Sequence, residues 1–470
     1  MLLLGEPIPQ NSLHSISVSL PNWSDIIGYE EKNPLICNAL KAGYPRFVIH
    51  HFVKDLCQKY NLDFIFPSYQ SALEASQFAK IPADKITLIN QNLAGLKTNK
   101  PEQLSQLKSF WQHTGQIISS RQALYYLQTD KINNDLIEAG KEANNKIKKR
   151  IASLTEQNAE NIYLFPNGMS ALFAAHQICI KLKPQTKTLQ FGFPYTDTLK
   201  IQEKFGFGNI LCLNEQKLNE LSEQELAGIF CEFPSNPLLE SPNLEILNQL
   251  AKNKNCPLIV DDTIGTYFNL DLVSSVDIIA TSLSKFFSGV GDVMGGALIL
   301  NPKSNNYKSL KNSLDLIFED ICWAEDLIIL EKNSIDFADR MKIINKNTET
   351  LCDFLANHDE IEKIYYPKYS TNNNYLNKMK TGTGFGGLFS LVLKDKSQSS
   401  KFYDNLNLLK GPSLGTNYTL VCPYVLLAHY NELDWVETCG VDRHLIRVSV
   451  GLEEVNYLIN TFKLAFNLAS

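Results

Sequence analysis

Between residues 160 and 301, short apolar runs recur at Ile162–Pro166, Thr188–Phe193, Gly228–Pro234, Pro257–Asp261, Ile278–Ser282 and Gly296–Leu300. Between several of them, over Met169–Leu182, Thr196–Phe205 and Asn243–Lys252, apolar positions fall at helical spacing. Continuous apolar runs of this length read as strands buried on both faces. Their alternation with helices predicts an α/β fold with a mostly parallel sheet covered on each side. A long helical stretch, rich in Leu and Ile but crossed by charges, follows over 305–358. After it come isolated strand patterns at Gly387–Leu393 and Leu445–Val450 among further helices, the signature of a smaller α+β domain. Residues 1–155 differ from all of this. Pro7, Pro9 and Pro21 make the start extended or irregular, and polar stretches such as Asn90–Gln106 show no strand–helix alternation. Only the end is plainly helical, with Ile147, Ile151 and Leu154 at i, i+4 and i+7. The expected organisation is an N-terminal extension over 1–155 and a large domain over 156–305. A connecting helical stretch over 306–350 leads to a small C-terminal domain over 351–470.

Composition narrows the class. The chain has 470 residues, 44% of them hydrophobic and 20% charged, which is ordinary for a protein with a sizeable core. A net charge of −6 argues against a globally basic nucleic-acid binder. No apolar run approaches membrane-span length, and residues 1–30 lack a charged segment followed by an apolar one. The ten cysteines are scattered with no CxxC pair, so they read as buried thiols in a reducing cytosol. A cytoplasmic enzyme is expected. The eight histidines form no HExxH, and His50 and His51 are adjacent, so no metal site is expected. Gly382-x-Gly384-x-x-Gly387 formally matches a dinucleotide fingerprint. It follows a Lys/Asn-rich loop and precedes a strand pattern, the wrong setting for that motif.

In an open α/β sheet, ligands bind outside the carboxyl ends of the strands. Five runs end in a consistent set: Asn167-Gly168-Met169, Tyr195, Ser235-Asn236-Pro237, Asp261-Asp262-Thr263 and Ser282-Leu283-Ser284-Lys285. Each member has an ordinary reading. A strand-end lysine is usually a solvated charge, any of residues 261–263 could cap a helix, and glycine is common at strand-to-helix turns. Together they suit pyridoxal phosphate. That cofactor needs an amine to form a Schiff base and a carboxylate to keep its ring nitrogen protonated. It also needs an aromatic face to stack on and a helix N-terminus with hydroxyls for its phosphate. Lys285 leads into Phe286-Phe287 and a small-residue loop, a semi-apolar setting that favours the neutral, nucleophilic amine. Asp261 ends an Ile-Val run, where a carboxylate is costly without a cationic partner.

The stretch Ser282–Asp292 resembles the lysine-centred signature of the Cys/Met-metabolism family of fold-type I pyridoxal-phosphate enzymes. The family includes cystathionine γ-synthases, cystathionine γ-lyases and O-acylhomoserine sulfhydrylases. The resemblance runs over roughly residues 160–455, through Asn167–Met169, Glu232–Pro237, Asp261–Thr263, Ser413–Gly415 and Arg447–Glu453. Gly5–Pro9, His14–Pro21, Gly43–Phe47, Phe318–Asp320 and Gly411–Asn417 further resemble the long, fungal-type cystathionine γ-synthase branch. The resemblance implies Lys285 as the Schiff-base lysine, Asp261 as the partner of the ring nitrogen, and Tyr195 as the stacking residue and an acid/base group. Asn236 would bond the phenolic oxygen, and Gly168, Met169, Ser282 and Ser284 would cradle the phosphate with Thr263 nearby. Arg447, helped by Ser413, would clamp the substrate carboxylate, for which a planar bidentate fork is suited.

The chain departs from the family pattern in three places. Val290-Gly291 replaces the usual His-Ser of the lysine loop, and Thr416-Asn417 stands where a Glu usually follows Ser413-Leu-Gly415. The Tyr-x-Arg that reaches the phosphate from a neighbouring subunit has two partial equivalents. Tyr44-Pro-Arg46 has the letters but lies far upstream, whereas Arg121 is better spaced and is taken as the phosphate arginine. The implied activity is γ-replacement joining an O-acylhomoserine and L-cysteine into cystathionine, in a homodimer or homotetramer with small-molecule substrates only. The alternatives are a γ-lyase, a sulfhydrylase or an inactive homologue kept as a scaffold or regulator.

Overall fold

A computed structural model describes residues 2–469. Its N-terminal part is folded around a core of its own. Strands β1 (Pro7–Ile8) and β2 (Ser17–Val18) pair antiparallel. Strands β3 (Phe64–Phe66), β4 (Thr87–Leu88) and β5 (Ala94–Leu96) form a second antiparallel sheet in the order β3-β5-β4. Around it the helices His51–Lys59, Tyr69–Phe78, Pro101–Thr114 and Ser120–Gln128 bury Leu56, Phe66, Phe110, Trp111 and Tyr126. The pattern along the chain hides this sheet for a physical reason. The strands of the sheet are two or three residues long, and β3 and β5 are buried at every position, so no inside–outside alternation is written into them.

The strands of the large sheet are β6 (Ile162–Phe165), β7 (Thr188–Phe191), β8 (Asn209–Cys212), β9 (Ile229–Glu232), β10 (Leu258–Asp261), β11 (Ile278–Ser282) and β12 (Gly296–Leu300). They lie in the order β6-β12-β11-β10-β9-β7-β8, and only β12 runs antiparallel to its neighbours. The hydrophobic pattern misses β8 because it is the edge strand, half-exposed at three of its four positions and so free of a continuous apolar run. The helix Gly168–Leu182 starts on Asn167, whose Oδ1 accepts from Ser170 N (3.1 Å) while Ser170 Oγ accepts from Asn167 N (3.1 Å). This reciprocal cap fixes where the backbone N–H groups of that helix point.

The helical stretch after β12 is three helices rather than one: Tyr307–Ile317, Ala324–Asn333 and Phe337–Ala356. Phe318 turns extended at the first break, and its ring packs edge-on against Tyr163 (5.1 Å) and Phe165 (5.5 Å). Tertiary packing there overrides a local helical tendency. The last sheet contains β13 (Ile361–Tyr365), β14 (Leu388–Leu393), β15 (Leu409–Lys410), β16 (Leu420–Cys422) and β17 (Ile446–Ser449), in the order β13-β14-β17-β16-β15. Gly382–Gly387 runs into β14 and not into a helix. The N-terminal segment ties the parts together: Ile16 N donates to Gly291 O (3.0 Å), Leu20 N to Lys410 O (3.0 Å) and Trp23 N to Asp404 Oδ1 (2.7 Å). All ten cysteines are free, and seven are buried.

Candidate functional site

The carboxyl ends of β6, β7, β9, β10 and β11 open into a cavity of about 570 Å³, large enough for a small cofactor and its substrate. Lys285 enters it from the loop after β11. Its Nζ donates to Ser413 Oγ (3.1 Å) and lies 4.4 Å from the centre of the Tyr44 ring. Burial lowers the amine's pKa, and the Arg447 and Arg46 charges lower it further, while Tyr44 acts the other way. The amine is thereby moved toward the neutral form that can act as nucleophile and base. Arg340 braces the loop from behind, donating to the carbonyls of Phe286 (3.0 Å) and Phe287 (2.9 Å) and to Asn417 Oδ1 (3.0 Å). Only glycine fits at position 289: its φ is +74°, and a Cβ would fall 2.2 Å from Arg340 Nη1. Asn417 N also donates to Gly289 O (2.6 Å), so Asn417 is engaged with the back of the lysine loop.

Asp261 and Asp262, adjacent at the end of β10, are separated by the strand. Asp261 lines the cavity, where its Oδ1 accepts from Thr263 N (2.9 Å), and Thr263 Oγ1 in turn accepts from Ser282 N (2.8 Å). Burial raises its pKa and only Thr263 opposes the shift, so a cation beside it would be strongly favoured. Asp262 is fully buried outside the cavity, its carboxyl pushed up to about 8 by burial and then by Asp261. The pattern also passed over Glu232, at the end of β9. It accepts hydrogen bonds from Tyr195 N and from Asn236 N (2.9 Å), fixing both loops, and burial followed by Asp261 pushes it up to about 8.

At the other end of the cavity Gly168 opens its helix against Ser282; a Cβ there would lie 2.7 Å from Ser282 Cβ. Met169 lines the cavity beside it. Ser282 Oγ is buried and has no hydrogen-bond partner among the described residues. Ser284 lies outside the cavity lining: its Oγ accepts from Gly295 N (3.0 Å) and bonds the Tyr44 hydroxyl. Arg447, on β17, donates to Asn236 Oδ1 (3.2 Å) and to the carbonyls of Pro412 and Ser413 (3.1 Å each), with its guanidinium 4.6 Å from the Tyr424 ring centre. Ser413 therefore meets Lys285 with its hydroxyl and Arg447 with its carbonyl.

The expectation for Arg121 needs correcting. That side chain pairs with Asp292 Oδ2 (3.2 Å) and Asp326 Oδ1 (3.3 Å), away from the cavity lining. Arg46 lines the cavity instead. Its Nη2 donates to Tyr195 Oη (2.8 Å), and its Nη1 donates to Gln112 O (2.7 Å) and to Asp197, whose other oxygen meets His113 Nδ1 (2.8 Å). Spacing along the chain misled because the N-terminal segment folds back over the large domain. Of this group only the letters Tyr44-Pro-Arg46 left a signal in the sequence; Asp197 and His113 left none.

The residues present fit pyridoxal phosphate. A buried hydroxyl at Ser282 and the buried Arg46 Nε both lack partners among the described residues, beside a helix N-terminus with no side chain at Gly168. A carboxylate without a cation and an amine biased to neutrality stand in the same cavity. Comparison with known proteins agrees. Residues 128–467 match the family described as Cys/Met metabolism PLP-dependent enzymes. The cystathionine γ-synthase of Neurospora crassa is 35% identical, over 99% of this chain and 98% of its own length. That of Saccharomyces cerevisiae is 32% identical over 99% of each chain. The crystal structure of a cystathionine γ-synthase from Xanthomonas oryzae pv. oryzae shares the fold, with a TM-score of 0.61 at 19% identity over 70% of this chain and 86% of that one. The chain belongs to the Cys/Met-metabolism family of pyridoxal-phosphate-dependent enzymes.

Proposed function

We propose that the protein replaces the γ-acyloxy group of an O-acylhomoserine with the sulfur of L-cysteine, giving cystathionine. The observation that carries this is full-length similarity to two fungal cystathionine γ-synthases, joined to a cavity in which Lys285, Asp261 and Arg447 converge. Arg447 binds the substrate α-carboxylate and sets the Cα–H toward Lys285. Lys285 Nζ accepts the Cα proton and later returns one, its neutral form favoured by burial. With the cofactor bound, Asp261 would hold the positive ring nitrogen, Tyr195 would stack on the ring and serve as an acid/base group, and Asn236 would bond the phenolic oxygen. Gly168, Met169, Ser282 and the Thr263 hydroxyl would hold the phosphate end. The bound cofactor supplies a sink for the electrons released at Cα. In the net change the Cγ–O bond breaks, a Cγ–S bond forms, and the thiol proton leaves with the carboxylate. The setting is the cytoplasm, and the assembly is a homodimer or homotetramer. Among the described residues no helix is long and apolar enough to cross a membrane.

Purified protein is offered O-acetyl-, O-succinyl- or O-phosphohomoserine with cysteine or sulfide, and cystathionine alone, and the products are identified. Cystathionine from an ester and cysteine is the expected result, with Lys285→Ala losing both the visible cofactor band and turnover. Cleavage of cystathionine as the main reaction would make it a γ-lyase, and a preference for sulfide would make it a sulfhydrylase. A colourless protein that takes up no cofactor would point to an inactive scaffold.

A further inference from the structure

Three buried polar atoms on side chains that line the cavity have no hydrogen-bond partner among the described residues: Ser282 Oγ, Arg46 Nε and the hydroxyl of Tyr424. The first two fit the cofactor, and Tyr424 is left over. Its side chain is 3% exposed, and its ring belongs to an apolar cluster with Phe193, Leu238, Val392 and Val425. A phenol hydroxyl with no partner in such surroundings is costly unless a ligand answers it.

The fold holds Tyr424 against Arg447. Across the antiparallel pair β16–β17 Cys422 stands opposite Arg447, and its thiol meets the guanidinium. Pro423 follows the strand, and Tyr424 opens the helix Tyr424–His429, so the chain turns beside Arg447. The Arg447 guanidinium lies 4.6 Å from the Tyr424 ring centre, and the His429 ring packs edge-on at 6.0 Å. A cation resting on the ring is a sufficient reason for an aromatic residue, but phenylalanine would serve it equally, so the hydroxyl stays unexplained. Burial raises the phenol's pKa well above its ordinary value, against the Arg447 charge, so the hydroxyl keeps its proton and remains a donor.

Arg447, meanwhile, is one donor short. A carboxylate is gripped by two parallel N–H bonds, and both faces of a guanidinium that offer such a pair include Nη2. In Arg447 that nitrogen is engaged by the Pro412 and Ser413 carbonyls (3.1 Å each), and Nη1 gives a bond to Asn236 Oδ1 (3.2 Å). We infer that Tyr424 is a substrate-binding residue whose hydroxyl donates to the α-carboxylate held at Arg447, making the second bond that the engaged guanidinium lacks. This rests on the reading of Arg447 as the carboxylate site, but not on which ester or nucleophile reacts.

The test titrates the holoenzyme with two small molecules and reads binding from the shift of the visible cofactor band. L-2-Aminobutyrate has the amino-acid end of the substrate and no group to expel; propylamine is the same amine without the carboxylate. Tyr424→Phe keeps the ring under Arg447 and removes only the unpartnered hydroxyl. Without ligand it should melt no lower than wild type, because no bond within the fold is lost. It should bind 2-aminobutyrate about ten- to a hundredfold more weakly and propylamine as wild type does. Equal affinity of the two proteins for 2-aminobutyrate overturns the inference. So does an equal loss for the amine, and so does a lower melting temperature, which would give the hydroxyl a partner inside the fold. A wild type that binds 2-aminobutyrate no more tightly than propylamine would instead refute Arg447 as the carboxylate site, and the role of Tyr424 with it.

Discussion

Lys285 and Asp261 show how burial prepares a group for work without exposing it. Burial pushes the lysine toward neutrality and the aspartate toward protonation, and a pyridinium ring with an aldehyde would suit both groups. Asp261→Asn should leave the fold intact, because the carboxylate bonds only Thr263 in the described structure. Turnover should fall by about a hundredfold or more, since an amide does not hold a protonated ring nitrogen. Steady-state rates beside a far-UV spectrum check this, and wild-type rates would remove Asp261 from its role. Gly168→Ala tests the other end of the cavity. A methyl placed 2.7 Å from Ser282 Cβ forces the helix start away from the strand end. Overpacking of this kind costs about 1–3 kcal/mol, and cofactor affinity measured by titration should fall correspondingly.

At the scale of elements, the N-terminal segment is held by two histidines that must stay neutral. His14 Nδ1 meets Ser120 Oγ (2.9 Å), and His50 Nε2 meets the Leu13 carbonyl (3.0 Å). Burial depresses both to about 4, helped by the Arg121 charge at His14 and by His51 at His50. The unfolded chain protonates these rings near 6.5, so their contribution is complete above that pH and is lost as the pH falls toward 4. The urea midpoint should therefore drop between about pH 6.5 and 4 in the wild type and drop less in a His14→Phe/His50→Phe variant. Equal slopes would show that these rings do not carry the effect.

At the scale of the whole molecule, Phe110 is the joint. It is 1% exposed, sits in the N-terminal core with Phe66, and touches Phe173 and Phe205 of the large domain. Phe110→Ala should cost about 3–5 kcal/mol and shift a single denaturation transition to lower denaturant. Two separate transitions in the wild type would mean that the N-terminal core is not mechanically joined to the rest. The joint matters to function because the same N-terminal part carries Tyr44, Arg46 and His113 to the cavity.

The parallel sheet was legible because strands buried on both faces carry short continuous apolar runs, and Lys285, Asp261, Tyr195 and Asn236 were legible because strand ends converge in such a sheet. The half-exposed edge strand β8 and the two- and three-residue strands of the N-terminal and small domains were not, since so few positions carry no period. The exchange of Arg121 for Arg46 shows the limit most plainly. Local pattern and residue chemistry determined the sheet, the lysine and the acid. The arginine and its Asp197–His113 brace were decided only by the tertiary structure. They depend on where a distant segment packs, and the cost of an unpaired charge is settled in space rather than along the chain.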